Sequence, residues 1–139
     1  MPGIMSLLLP KVISPKTHAV IDYIHAGTNF VAGALLRRRS PHASNAAFAL
    51  GAGILVNALM TDYPLGVFRR YSFRVHEALD YGIATTSASM PKLLAIEDRP
   101  EARFFRRQAT AEGMIAAMTD YNGSREARRR RISEFRRAA

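Results

Sequence analysis

Apolar residues at Val20, Ile21, Ile24, Phe30, Val31, Leu35 and Leu36 recur at the three-and-four spacing of a helix face. Ser14 before that segment is a good N-cap, and Pro15 suits a first helical position, where its missing N–H costs nothing. The pattern breaks at "RRRSPH". A second helix is predicted from about Ala43 to Asp62, stopped by Pro64 and Gly66. Ser72 then caps a third helix running to about Ile96, "EDRPE" forms a turn, and a fourth helix ends at Tyr121 before Asn122–Gly123. A basic helix from about Ser124 to Arg137 closes the chain. Strand alternation is nowhere sustained.

The same template is written twice. Shifting the chain by 58 residues brings His18 onto His76, Asp22 onto Asp80, Tyr23 onto Tyr81 and "MTDY" at 60–63 onto "MTDY" at 118–121. Ser14 falls on Ser72 and Leu35–Leu36 on Leu93–Leu94 under the same shift. One gapless shift that explains motifs forty residues apart marks an internal duplication, with repeat units 14–66 and 72–124 and a basic tail over 125–139. Short connections make consecutive helices antiparallel neighbours. The expected fold is therefore all-α: one domain over 1–139, a pseudo-twofold four-helix up-down bundle built from two tandem helical hairpins, plus the basic C-terminal helix. At 139 residues the chain has room for one core and too little for two.

Charge and hydropathy change the picture of where such a bundle resides. The run from Ser40 to Thr61 is uncharged and long enough to cross a bilayer, and the first helix also qualifies if Asp22 faces inward. The third helix is marginal, and Arg103, Arg106 and Arg107 leave the fourth a short neutral segment. Arginines flank the apolar segments on both sides, so the positive-inside rule leans only weakly toward cytoplasmic termini. The expected location is a bacterial inner membrane, with a soluble or surface-bound bundle as the alternative. The net charge of +9 is concentrated in the tail, which suits anionic lipid. No aromatic ladder or nucleic-acid module accompanies it, so no specific nucleic-acid recognition is expected. The opening "MPGIMSLLLPKV" reads as an apolar lead-in rather than a signal peptide.

The segments "ISPKTHAVIDYI" and "LVNALMTDYPLGVFRR", with a second F-x-x-H-x-x-x-D helix, resemble the SPW-repeat family, small bacterial membrane proteins of four helices. The resemblance covers roughly residues 12–121 and rests on Ser14, Pro15, His18, Asp22, Thr61, Asp62, Tyr63, Pro64, His76 and Asp80. The chain has no Trp, so the family's naming motif is missing. The resemblance implies a membrane location and brings no established activity.

The candidate chemistry lies in the repeated polar residues. His18 and Asp22 are one helical turn apart on one face, as are His76 and Asp80. In an up-down bundle the starts of the odd helices and the ends of the even helices share one end. His18, Asp22, Asp62, His76, Asp80 and Asp120 are thus expected in one layer, with four tyrosines nearby. Three readings fit: a hydrogen-bonded structural plug, a site for a divalent transition metal, or a proton or small-ligand relay. Asp62 and Asp120 at C-terminal helix ends oppose the macrodipole and call for compensation by His or by Lys16 and Arg74. His25 and His42 lack counterparts under the shift and read as a core or interfacial histidine and a loop residue; Asn57 reads as a bond across the helix pair, and Glu77 as outside the layer or an extra ligand. Cysteine is absent, which excludes disulfides and thiolate ligation, and no nucleophile elbow or phosphate loop is present.

Overall fold

The computed structural model describes residues 9–138, without the side chains of 124–128; the lead-in over 1–8 lies outside the described residues. The chain is predominantly helical: α1 (Pro15–Leu36), α2 (Pro41–Met60), α3 (Phe73–Leu93), α4 (Ala102–Met118) and α5 (Gly123–Ala138), with two short strands, β1 (Thr61–Asp62) and β2 (Tyr71–Ser72). Serine caps start the first three helices. The Oγ atoms of Ser14, Ser40 and Ser72 accept the N–H groups of Thr17, Ala43 and Val75. "SPH" is therefore a cap followed by a first-turn proline, so α2 begins at Pro41 and places His42 on the helix rather than in a loop. At the other end, α3 stops at Leu93, short of Ile96. Ala95 takes a left-handed φ of 51° and the Ile96 N–H returns to the Pro91 carbonyl at 2.8 Å.

The largest departure from expectation concerns "MTDY". Both copies leave the helix at threonine: Thr61 (φ −80°, ψ 140°) and Thr119 (φ −86°, ψ 138°) are extended. Thr61 pairs with Tyr71 in the parallel β1–β2 ladder, and Thr119 bridges to Ile13, also in parallel. These two pairings are related by the repeat shift, although the second crosses from one end of the chain to the other. They set the ends of α2 and α4 beside the starts of α3 and α1.

Helix α1 packs along α2 and α3 along α4, with a smaller α2–α3 contact. Small residues permit the first of these: Ala19, Ala26 and Gly33 on α1 and Ala43, Ala47, Gly51 and Ala58 on α2 are buried. A Cβ on Gly33 would lie 2.9 Å from the Phe48 ring, and Ser44 Oγ donates to the Gly33 carbonyl at 2.7 Å across the helix pair. One core cluster joins Leu50, Ile96 and Phe105; another, of Ala19, Ala58, Tyr63, Phe73 and Tyr121, surrounds the histidines. The outer face of α1 is apolar. Val20, Ile24, Val31 and Leu35 are 43%, 61%, 60% and 74% exposed, and the only charged residue in the helix beyond Lys16, Asp22, is buried.

Candidate functional site

Helical spacing places His18 over Asp22 on α1 and His76 over Asp80 on α3, and the four side chains meet. The two imidazole Nε2 atoms are 3.0 Å apart. Asp22 presents one carboxylate oxygen to each Nε2, at 3.2 Å and 3.2 Å. Asp80 does the same, at 3.1 Å to His76 and 3.2 Å to His18. None of the four residues exceeds 3% exposure. His18, His76 and Asp80 each offer a ligand atom within 4.8 Å of the others.

The surrounding hydrogen bonds fix the imidazole tautomers. Thr61 Oγ1 lies 2.6 Å from the Asn57 carbonyl, and Thr119 Oγ1 lies 2.7 Å from the Ile115 carbonyl. A carbonyl has no proton to give, so each hydroxyl donates there and its lone pair is left for an imidazole. His76 Nδ1–H donates to Thr61 at 2.6 Å, and His18 Nδ1–H donates to Thr119 at 2.7 Å. In a neutral imidazole this leaves a bare lone pair on each Nε2. Two such lone pairs and two carboxylates, all acceptors, would then crowd one buried point, and either protons on Nε2 or a bound cation relieves that crowding.

The carboxylates are held as well. Tyr63 OH donates to Asp22 Oδ2 at 2.7 Å, and its counterpart Tyr121 donates to Asp80 Oδ2 at 2.8 Å. Burial first, and then the neighbouring carboxylate, push both phenols far above their ordinary pKa, so they remain protonated donors. The duplication is imperfect here. Asn57 Nδ2 donates to Asp80 Oδ1 at 3.1 Å, and Tyr71 OH donates to Asn57 Oδ1 at 2.7 Å. At the corresponding positions for Asp22 stand Ile115 and Ile13, which offer no hydrogen bond.

Asp62 and Asp120, expected in this layer, lie outside it. In an extended segment side chains alternate, so Thr61 and Tyr63 point inward and Asp62 outward. The Asp62 carboxylate is 55% exposed, 3.9 Å from Arg69. Asp120 instead accepts the N–H groups of Asn122 and Gly123 at 3.0 Å and 3.1 Å, leading into α5. Their compensation comes from Arg69 and from backbone amides, not from Lys16 or Arg74; Arg74 pairs with Glu77 at 3.2 Å, outside the cluster. The residues that do complete the site, Thr61, Tyr63, Thr119 and Tyr121, belong to the same repeated motif. Asn57 bonds across α2 and α3, as its position suggested.

His25 forms a separate pair with buried Glu112 at 2.7 Å. Under the repeat shift this pair corresponds to Ile83 and Ile54, so one half carries a polar pair where the other has two isoleucines.

Thr119→Val keeps shape but removes the acceptor from a buried imidazole N–H. It is expected to cost about 1–3 kcal/mol, read as a lower denaturation midpoint; an unchanged midpoint would mean that His18 is not anchored there. Comparison with family models, curated proteins and solved structures returns no match to this chain.

Proposed function

We propose that the chain is a metal-binding membrane protein: an up-down bundle of two tandem hairpins that holds a divalent transition-metal ion between α1 and α3. His18 and His76 supply Nε2 and Asp80 a carboxylate oxygen, the three ligand atoms that lie together, and Asp22 faces both nitrogens. The observation that carries this reading is the convergence of two Nε2 atoms 3.0 Å apart with carboxylate oxygens at 3.1–3.2 Å. Ligand atoms bound at about 2.1 Å sit roughly 3.0–3.4 Å from one another, between right-angle and tetrahedral geometry. Two carboxylates balance a dication, which suits a site closed to water. Imidazole and carboxylate without thiolate favour zinc, manganese, iron or cobalt. The Thr and Tyr partners orient these ligands in the way outer-shell groups do at metal centres.

The bilayer reading is supported by α1 and α2, which at 22 and 20 residues are long and apolar enough to cross a membrane. Val20, Ile24, Val31 and Leu35 leave an apolar stripe of α1 facing outward, where lipid would cover it. Arg37, Arg38 and Arg39 follow that stripe at one end and Arg69, Arg70 and Arg74 lie toward the other, suited to lipid phosphates.

Two measurements test the proposal. Protein purified without chelator, or stripped and resupplied with zinc, manganese, ferrous or cobalt ion, is expected to hold a single ion per chain. Failure to take up any of them would leave protonated His–Asp pairs, a structural plug, as the explanation. Carbonate-washed membranes are expected to retain the chain; full release into the supernatant would remove the bilayer from the proposal while leaving the metal site standing.

A further inference from the structure

Helix α5 leaves the bundle at the end that carries the His/Asp cluster. Its start follows directly from Tyr121, which holds Asp80, through the Asp120 carboxylate that accepts the Asn122 and Gly123 N–H groups. Over 129–138 every residue is exposed, and five arginines stand against the single Glu134. Two large apolar side chains are exposed among them: Ile132 at 49% and Phe135 at 77%. Three residues apart, they share one face of the helix, and helical spacing sets Arg131 and Arg136 on its two edges. The remaining arginines, Arg129, Arg130 and Arg137, occupy the rest of the circumference. Arg69, Arg70 and Arg74, also exposed, belong to the same end of the bundle.

We infer that α5 is an interfacial helix that lies on an anionic lipid surface, with Ile132 and Phe135 entering the headgroup–acyl boundary and the arginines engaging lipid phosphates. The complementarity is twofold. A nucleic-acid phosphate backbone would use the arginines but gives no place to an Ile–Phe pair that is not part of an aromatic ladder. A purely apolar protein groove would bury the pair while stripping solvent from flanking guanidinium groups. A charged bilayer surface accepts both, because apolar side chains can sink below the plane in which the guanidinium groups meet phosphate. The helix would then pin the metal-bearing end of the bundle to one leaflet. This placement uses the bilayer reading above, but binding of α5 to lipid does not depend on it.

The chain contains no Trp, so Phe135→Trp creates a single fluorescent reporter in the full-length protein. The protein is placed in lipid discs of phosphatidylcholine alone or of phosphatidylcholine with phosphatidylglycerol. The expected result is a shift of emission to shorter wavelength, with quenching by brominated acyl chains, in the anionic discs and not in the zwitterionic ones, and its reversal at high salt. Adding Arg131→Gln and Arg136→Gln is expected to weaken the response about thirtyfold on titration with anionic vesicles. Solvent-like emission in both disc types overturns the inference. So does a shift without quenching by brominated acyl chains, which would mean that α5 packs on protein, or a shift produced by RNA or DNA but not by lipid. If the chain does not enter discs at all, the bilayer-spanning reading fails, and anionic vesicles added to the soluble protein still decide for or against α5.

Discussion

His76→Ala is expected to abolish retention of the metal ion and to destabilise the fold by about 3–5 kcal/mol, the usual consequence of stripping one partner from a buried charged pair. The imidazole touches everything that matters in the cluster: His18 at 3.0 Å, both carboxylates at 3.1 and 3.2 Å, and the Thr61 hydroxyl at 2.6 Å. Its removal opens a cavity, takes away one of the two proposed nitrogen ligands and leaves Asp22 and Asp80 sharing a single imidazole. Elemental analysis reads the first effect, and thermal unfolding with and without added cobalt or zinc reads the second. His18→Ala should match it closely, since His18 stands in the same relation to Thr119. A variant that keeps a stoichiometric ion would place the metal elsewhere. In the wild type, the added ion should raise the melting temperature less as pH falls, because protons compete for the same Nε2 lone pairs.

Gly66→Ala should be nearly as damaging, through backbone alone. A methyl group at position 66 would overlap the Thr61 carbonyl oxygen and press on the Tyr63 ring. Gly66 does not need a left-handed φ, since no glycine among the described residues has one; the requirement is space. The segment after it folds back over the end of α2. The N–H groups of Val67 and Phe68 reach the Leu59 carbonyl at 3.0 and 2.8 Å, and that of Arg70 reaches the Met60 carbonyl at 2.7 Å. These bonds satisfy the orphan carbonyls of the helix terminus. Relieving the overlap means moving Thr61 and Tyr63, which orient His76 and Asp22, or withdrawing the loop from α2. A loss of about 3–5 kcal/mol is expected, at the severe end for one substitution. A variant with wild-type melting behaviour would show that the loop can shift freely. The corresponding residue under the repeat shift is Ser124.

The helices and the His–Asp pairs were legible because each rests on local rules. Serine followed by proline starts α1, and residues four apart share a face wherever the helix goes. Residues that match under the 58-residue shift also make matching contacts, Tyr63 to Asp22 and Tyr121 to Asp80. What the chain concealed was the conformation of three residues. Reading "MTDY" as helix put Asp62 and Asp120 in the layer; reading it as extended puts Thr and Tyr there instead. That choice is made by a strand partner ten residues further on for Thr61, and by Ile13, more than a hundred residues earlier, for Thr119. No helical periodicity carries such information. The polar contacts that break the symmetry, Asn57–Asp80 and His25–Glu112, were likewise unpaired letters until the helices were side by side.

Each histidine is anchored by the other repeat, His18 by Thr119 and His76 by Thr61, whereas each aspartate accepts from the tyrosine of its own repeat, with Asn57 reaching Asp80 from the other. One repeat alone therefore contains a carboxylate in position and an imidazole with no support. Two copies facing each other across a twofold axis would complete both halves, as an isologous dimer does. Joining the copies in one polypeptide makes assembly of the centre independent of protein concentration. It also lets the two sides differ, as Asn57 and Tyr71 opposite Ile115 and Ile13 do.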